Sequence, residues 1–193
     1  MPRLLTAFPL FAVLISLAPA PAAPVPKDRM QQDPVYWPTK VGTKLVYGVN
    51  GVEVTRVIAK VENVQGGMMV TTETVLEDET TCLYMKVLVT PKGLFLTEQA
   101  GSVYDPPWCI FRLPHEPGKT CDTTVVPSQM KAKKEELVKT PAGEFTAAVV
   151  ELELNLGGRK TMGRYWYTRG VGFVRYDTPD GSTVLKSFTP GKD

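Results

Sequence analysis

The stretch V-V-E-L-E-L-N-L, residues 149–156, decides the fold. Val150, Leu152, Leu154 and Leu156 alternate with Glu151, Glu153 and Asn155. Successive side chains on a strand point to opposite faces, so this pattern places an apolar row on one side of a sheet and a charged row on the other. Such a strand belongs to an antiparallel sheet with one face on a core and the other in water. The same period recurs upstream, in Leu83, Met85, Val87 and Val89, and in Val57, Ala59 and Val61. Asn50-Gly51 and Asp180-Gly181 each lie between two such runs, and both dipeptides accept the positive φ angles of a two-residue hairpin. Gln65-Gly66-Gly67, Pro91-Lys92-Gly93 and Gly157-Gly158 punctuate the remaining strands. Together these signals predict an all-β chain, an antiparallel meander curled into a half-barrel or open sandwich. Between Val52, Val54 and Val57, Ala59, Val61 the apolar phase slips, which predicts a β-bulge near Thr55-Arg56.

The aromatic stretch R-Y-W-Y-T-R-G-V-G-F-V-R-Y-D, residues 164–177, reads as two strands joined by a corner at Gly170 and Gly172. Bulky side chains would forbid such a corner, whereas glycine permits it. Aromatic neighbours across the pair would contribute roughly 0.2–1 kcal/mol each. The same residues offer a functional alternative, a ligand cradle of Trp166 and Phe173 in which Arg164, Arg169 or Arg175 fixes an acidic head group. The architectural reading takes precedence, because alternating aromatics are ordinary strand material.

S-Q-M-K-A-K-K-E-E-L-V-K, residues 128–139, contains helix formers, but Met130, Leu137 and Val138 make too thin a stripe to dock a helix. An exposed edge strand fits better, its lysines discouraging pairing with other chains. The lysines are followed directly by Glu135 and Glu136, so the cluster reads as a self-neutralised face. A faint internal echo joins W-P-T-K-V-G-T-K-L-V-Y from Trp37 to L-P-H-E-P-G-K-T-C-D-T from Leu113. Both carry P-x-x-x-G before a strand, which favours a sheet built from two similar meanders.

The N-terminus carries a positive residue, Arg3, an apolar run over residues 4–17 and an Ala20-Pro21-Ala22 site. This is the pattern of a secretory signal peptide over residues 1–22, and Pro24, Pro26 and a polar run suit a flexible leader over residues 23–34. The apolar run is short for a membrane span and is interrupted by Pro9. Residues 35–190 would then form one β domain, secreted or periplasmic, with no stable membrane anchor. The formal charge of +2 gives no electrostatic case for nucleic acid or an anionic membrane as partner.

Oxidation is expected in an exported chain, and there are three cysteines, Cys82, Cys109 and Cys121. Cys109 and Cys121 flank a short loop, and closing it would remove unfolded-state entropy worth roughly 3 kcal/mol. Bridges from Cys82 to either partner stay open on spacing alone. The single histidine, His115, lies in that loop, but the spacings match no usual zinc pattern. It stands between Pro114 and Glu116-Pro117 and reads as a polar loop residue rather than the base of a hydrolase. Glu151 with Glu153, and Glu77-Asp78-Glu79, read as solvated faces and turns rather than a carboxylate pair in a cleft. No phosphate loop, dinucleotide fingerprint or metalloprotease motif is present, and no metal or cofactor is implied.

Two motifs carry a resemblance. Pro141, Ala142, Gly143, Phe145 and Ala147 form a P-A-G-x-F-x-A turn, and Trp166, Tyr167, Gly170, Val171, Gly172 and Val174 form a W-Y-x-x-G-V-G-x-V strand pair. In this order the chain resembles a family of exported bacterial proteins of unknown function, β-rich domains similar to the open half-barrels of lipoprotein-localisation factors. The family usually has tryptophan after its G-K-T or G-K-S, where this chain has Cys121. The resemblance and the residues imply a noncatalytic exported binding or envelope-associated domain, whose partner is a protein or an apolar small molecule. The alternative is a carrier of lipid-like molecules in the concave sheet face.

Overall fold

The computed structural model describes residues 35–123, 128–156 and 159–192. The expected signal peptide, the leader and the Gly157-Gly158 turn lie outside the described residues. The elements are strands throughout: β1 (Lys44–Val49), β2 (Val52–Val64), β3 (Gly67–Val75), β4 (Thr81–Thr90), β5 (Gly93–Gln99), β6 (Ser102–Arg112), β7 (Thr120–Thr123), β8 (Ser128–Ala132), β9 (Glu136–Thr140), β10 (Gly143–Leu156), β11 (Arg159–Thr168), β12 (Gly172–Thr178) and β13 (Gly181–Thr189). One antiparallel sheet runs in the order β6-β5-β4-β3-β2-β1-β13-β12-β11-β10-β8-β7, with β9 on the other end of β10. The sheet is all-β as expected, and it curls further than a half-barrel, into a barrel nearly closed with one seam.

The turns follow the chemistry of the sequence. Asn50 and Gly51 take φ of 50° and 88° between β1 and β2, as the hairpin requires. A motif that periodicity does not reveal recurs three times as Thr90-Pro91-Lys92-Gly93, Thr140-Pro141-Ala142-Gly143 and Thr178-Pro179-Asp180-Gly181. In each, the threonine hydroxyl donates to the glycine carbonyl, at 3.1, 3.3 and 3.2 Å. Proline presets the turn, and the hydroxyl closes it from the side.

The bulge in β2 is not at Thr55-Arg56. The register with β1 runs unbroken from Val52 to Val57, and the shift falls between Ile58 and Lys60, at Ala59. The physical reason is that Arg56, 8% exposed, and Ile58, 1% exposed, point into the barrel. An inward arginine inverts the apolar phase on which the expectation rested. Residues 128–139 also differ from expectation. They form two strands, with a break at residues 133–135, and β8 lies between β10 and β7 rather than at an edge. Met130 and Val138 are buried, and Lys133 pairs with Glu151 at 2.8 Å.

The internal echo corresponds to a structural repeat. In the first half the Gly42 amide donates to the Ile58 carbonyl at 2.8 Å and the Ile58 amide to the Thr43 carbonyl at 2.9 Å. In the second half Gly118 donates to Ala132 at 2.8 Å and Ala132 to Lys119 at 2.9 Å. Strands β1–β6 and β7–β13 are thus two meanders, each opened by a P-x-x-x-G turn. The first strand of one meander pairs with the last strand of the other, β1 with β13. The corresponding junction, β7 beside β6, is the seam. The Cys109–Cys121 disulfide spans it with Cα atoms 6.2 Å apart, and Arg112 Nη1 donates to the Thr120 carbonyl at 3.1 Å. On β6, Pro106 and Pro107 lack the amide hydrogens of a growing ladder, which suits a strand at a sheet end.

Candidate functional site

The interior is filled by aromatic side chains from both meanders. Tyr165 stacks on Tyr176 with centroids 4.1 Å apart, Phe173 on Tyr47 at 5.0 Å, and Phe111 meets Tyr36 at 4.6 Å and Tyr167 at 4.9 Å. The Tyr47 hydroxyl donates to the Phe173 carbonyl at 3.0 Å. Burial pushes the phenols of Tyr47, Tyr84, Tyr165 and Tyr167 up from their ordinary value, with the Arg56 charge partly opposing this at Tyr47 and Tyr84. These groups are therefore neutral through the physiological range.

Arg56 sits within this cluster. Its guanidinium carbon lies 3.6 Å from the Tyr84 ring centroid, 4.8 Å from Tyr47 and 5.7 Å from Phe173. Among the described residues its Nε and Nη1 are buried with no hydrogen-bond partner, and so are Trp37 Nε1 and Thr72 Oγ1. All of these residues line one cavity of about 10 Å³, together with Leu45, Ile58, Val171 and Gly172. That is room for about one water-sized group. Gly172, at φ 89°, closes the cavity beside Trp37 and Pro38, and an added Cβ would come within 3.3 Å of Pro38 Cδ. The aromatic rings attract the cation, a desolvated contact of this kind contributing about 2 kcal/mol, but they do not satisfy its N–H donors. Chemically the cavity is a set of donors looking for an acceptor.

The cradle residues read from the sequence are placed differently. Arg164 and Trp166 share one face of β11, whereas Phe173 contacts Tyr165 and Tyr167 of the opposite, inner face. Glu136 of β9 ion-pairs with Arg164 and accepts from Trp166 Nε1 at 3.2 Å, while the Arg164 and Arg175 guanidinium groups lie 5.0 and 5.1 Å from the Trp166 ring. Arg164 is thus ion-paired with a carboxylate of the chain itself. Cys109 and Cys121 are disulfide-bonded, and Cys82 is a free, exposed thiol. His115 stacks on Phe111 at 5.3 Å with Nε2 2.8 Å from the Lys133 carbonyl, which holds it as a packed loop side chain beside the seam. Sequence reasoning missed Arg56. The only signal was the phase slip itself, which marked the residue but was read as an irregularity of the backbone.

A scan of family models and a search of curated proteins found no match to the chain. Among solved structures, a protein described as exported, with a YmcC-like fold, from Bacteroides fragilis superposes with a TM-score of 0.54 at 15% identity, covering 80% of this chain and 99% of that one. A protein described as a lipoprotein from Parabacteroides distasonis gives a TM-score of 0.47 at 19% identity, covering 80% of this chain and 98% of that one. At such identities the first likeness establishes the fold alone: the chain has a YmcC-like fold.

Proposed function

We propose that the protein is a noncatalytic binding domain exported to the bacterial envelope or beyond it, and that it does not carry lipid. The observation that carries this reading is the filled interior. A lipid carrier needs an apolar hollow of several hundred Å³. Here the concave face of the sheet is occupied by Tyr36, Trp37, Tyr47, Phe111, Tyr167 and Phe173, each 7% exposed or less, and the cavity beside Arg56 measures about 10 Å³. Export rests on the signal pattern over residues 1–22, on the disulfide, and on the exported description of the B. fragilis protein that shares the fold. The noncatalytic reading rests on the chemistry of the interior, where the titratable groups are mostly neutral phenols packed against one another.

Expression of the full chain in a bacterial host, followed by fractionation and intact-mass measurement, tests the export reading. The expected product begins at or near Ala23 and lies outside the cytoplasm. A cytoplasmic product with Met1 retained would contradict it. In the same preparation a fluorescent fatty acid is expected to show no saturable binding, and a stoichiometric complex would revive the carrier reading.

A further inference from the structure

The two meanders fill one fold position twice. The backbone bonds among Gly42, Thr43 and Ile58 in the first half recur among Gly118, Lys119 and Ala132 in the second, which matches Ile58 with Ala132. Two residues earlier on the same strands, Arg56 lies opposite Leu45, and Met130 lies opposite Cys121. On the other side Ile58 lies opposite Thr72, and Ala132 lies opposite Val150. Each set lines a cavity of about 10 Å³, with Leu45, Arg56, Ile58 and Thr72 around the first and Cys121, Met130, Ala132 and Val150 around the second. An arginine and a threonine thus stand where the second meander carries a methionine and a valine. The architecture accepts an apolar pair at this place, and replacing a buried charge by an apolar residue is often stabilising. Arg56 is 8% exposed, and none of the ion pairs among the described residues involves it. A buried positive charge is left without its counter-ion, which is costly.

We infer that the Arg56 cavity binds one monatomic anion, a halide such as chloride. The inference goes beyond the noncatalytic export reading and does not depend on it. Size comes first: the cavity takes about one water-sized group, room that a chloride ion matches and that carboxylates, sulfate and phosphate exceed. Geometry agrees. Nε and Nη1 of Arg56 do not belong to one fork of the guanidinium, so a planar two-oxygen anion has no matching edge, whereas a spherical ion needs a single N–H. Trp37 Nε1 and Thr72 Oγ1 are unpartnered on the same lining, and these residues are only 4 and 3% exposed. The excess of donors then decides between an anion and a water. A water brings two hydrogens of its own, and of these four unpartnered atoms only the threonine oxygen can accept one. A halide brings none and accepts from every donor it touches. Its charge also fits, because Arg56 is the one charged side chain of the lining and burial keeps the phenols of Tyr47 and Tyr84 protonated. Bound there, the ion neutralises the guanidinium and ties Trp37 of the N-terminal segment to β2 and β3.

The test is thermal unfolding of the full mature chain, dialysed into halide-free sodium methanesulfonate and titrated with sodium chloride, bromide and iodide at constant ionic strength. Methanesulfonate is too large for the cavity and serves as the inert anion. The melting midpoint is expected to rise with the logarithm of chloride concentration, by about 3 °C or more at roughly ten times the dissociation constant. Iodide, the largest of the three, should act most weakly. Arg56→Met, which copies the second meander, should fold, be at least as stable as the parent without halide, and lose the response. Thr72→Val, which copies the neighbouring position, should weaken it while keeping a folded near-ultraviolet spectrum. Crystals grown in sodium bromide should show an anomalous-scattering peak within hydrogen-bond distance of Trp37 Nε1 and Thr72 Oγ1. A flat titration in the parent, or a bromide-grown crystal with a water in the cavity, would overturn the inference. A response that is strongest with iodide, or that survives Arg56→Met, identifies an adventitious ion only and overturns it as well. So does an Arg56→Met protein that is markedly less stable without halide, since the arginine would then be serving the aromatic packing.

Discussion

Gly172 and Tyr47 show how closely single residues set the interior. Gly172 turns the chain at φ 89° against Trp37 and Pro38, where a side chain meets both a forbidden backbone region and a tight neighbour. Gly172→Val is expected to lower stability by about 1 kcal/mol or more, read as a shift in the denaturation midpoint. An unchanged midpoint would show that the corner relaxes freely. The buried phenols give a second expectation, and its sign follows from proton linkage. Tyr47, Tyr84, Tyr165 and Tyr167 have raised folded-state values, so each keeps its proton in the folded state above the pH, about 10, at which the unfolded phenol loses it. Their contribution is fully present below about pH 10 and is lost as pH rises beyond it. Melting midpoints are therefore expected to fall steeply between pH 10 and 12, with the tyrosinate absorbance of these four residues appearing only on unfolding. Ionisation of more than three of the seven tyrosines in a folded protein at pH 10.5 would contradict the packing. At this scale the aromatic stretch at residues 164–177 was legible, because period-two aromatics and glycines have one simple reading. Arg56 was not, since an arginine in a strand counts as outward unless its ring partners, Tyr47, Tyr84 and Phe173, are known, and these come from three other strands.

Among the elements, the seam between β6 and β7 is held differently from the rest of the sheet. Elsewhere the junction of the two meanders is a backbone ladder, β1 with β13, whereas here a disulfide and the Arg112 side chain do the joining. The crosslink acts mainly by restricting the unfolded chain, an effect of roughly 3 kcal/mol for a loop of this size. Reducing agent is expected to lower the melting midpoint while the β-sheet circular dichroism of the folded form persists. Cys109→Ala and Cys121→Ala should each remove this sensitivity, and Cys82→Ala should leave it intact. Nonreducing peptide maps that join Cys82 to either partner would contradict the seam. The strands themselves were readable from alternation, and the hairpins from Asn50-Gly51 and Asp180-Gly181. The break between β8 and β9 was not, because Lys133, Lys134 and Glu135 suit a helix, a loop or an edge equally well. What decides is β10, long enough to take β8 on one half and β9 on the other.

For the whole molecule, duplication explains both the closure and the asymmetry. Two meanders joined head to tail make one continuous sheet, and their similar P-x-x-x-G turns build similar cavities with different linings. The sequence carries this as one short echo, since the turn chemistry is shared while the strand residues between have diverged. Closure brings aromatic side chains of both halves into one interior, which leaves no hollow along the concave face. This is the account's central claim, and native mass spectrometry of the protein purified from its own host tests it most directly. The predicted spectrum is that of the chain from about residue 23 with one intact disulfide and no bound lipid. A stoichiometric adduct of lipid mass, retained in the gas phase and released on unfolding, would contradict it.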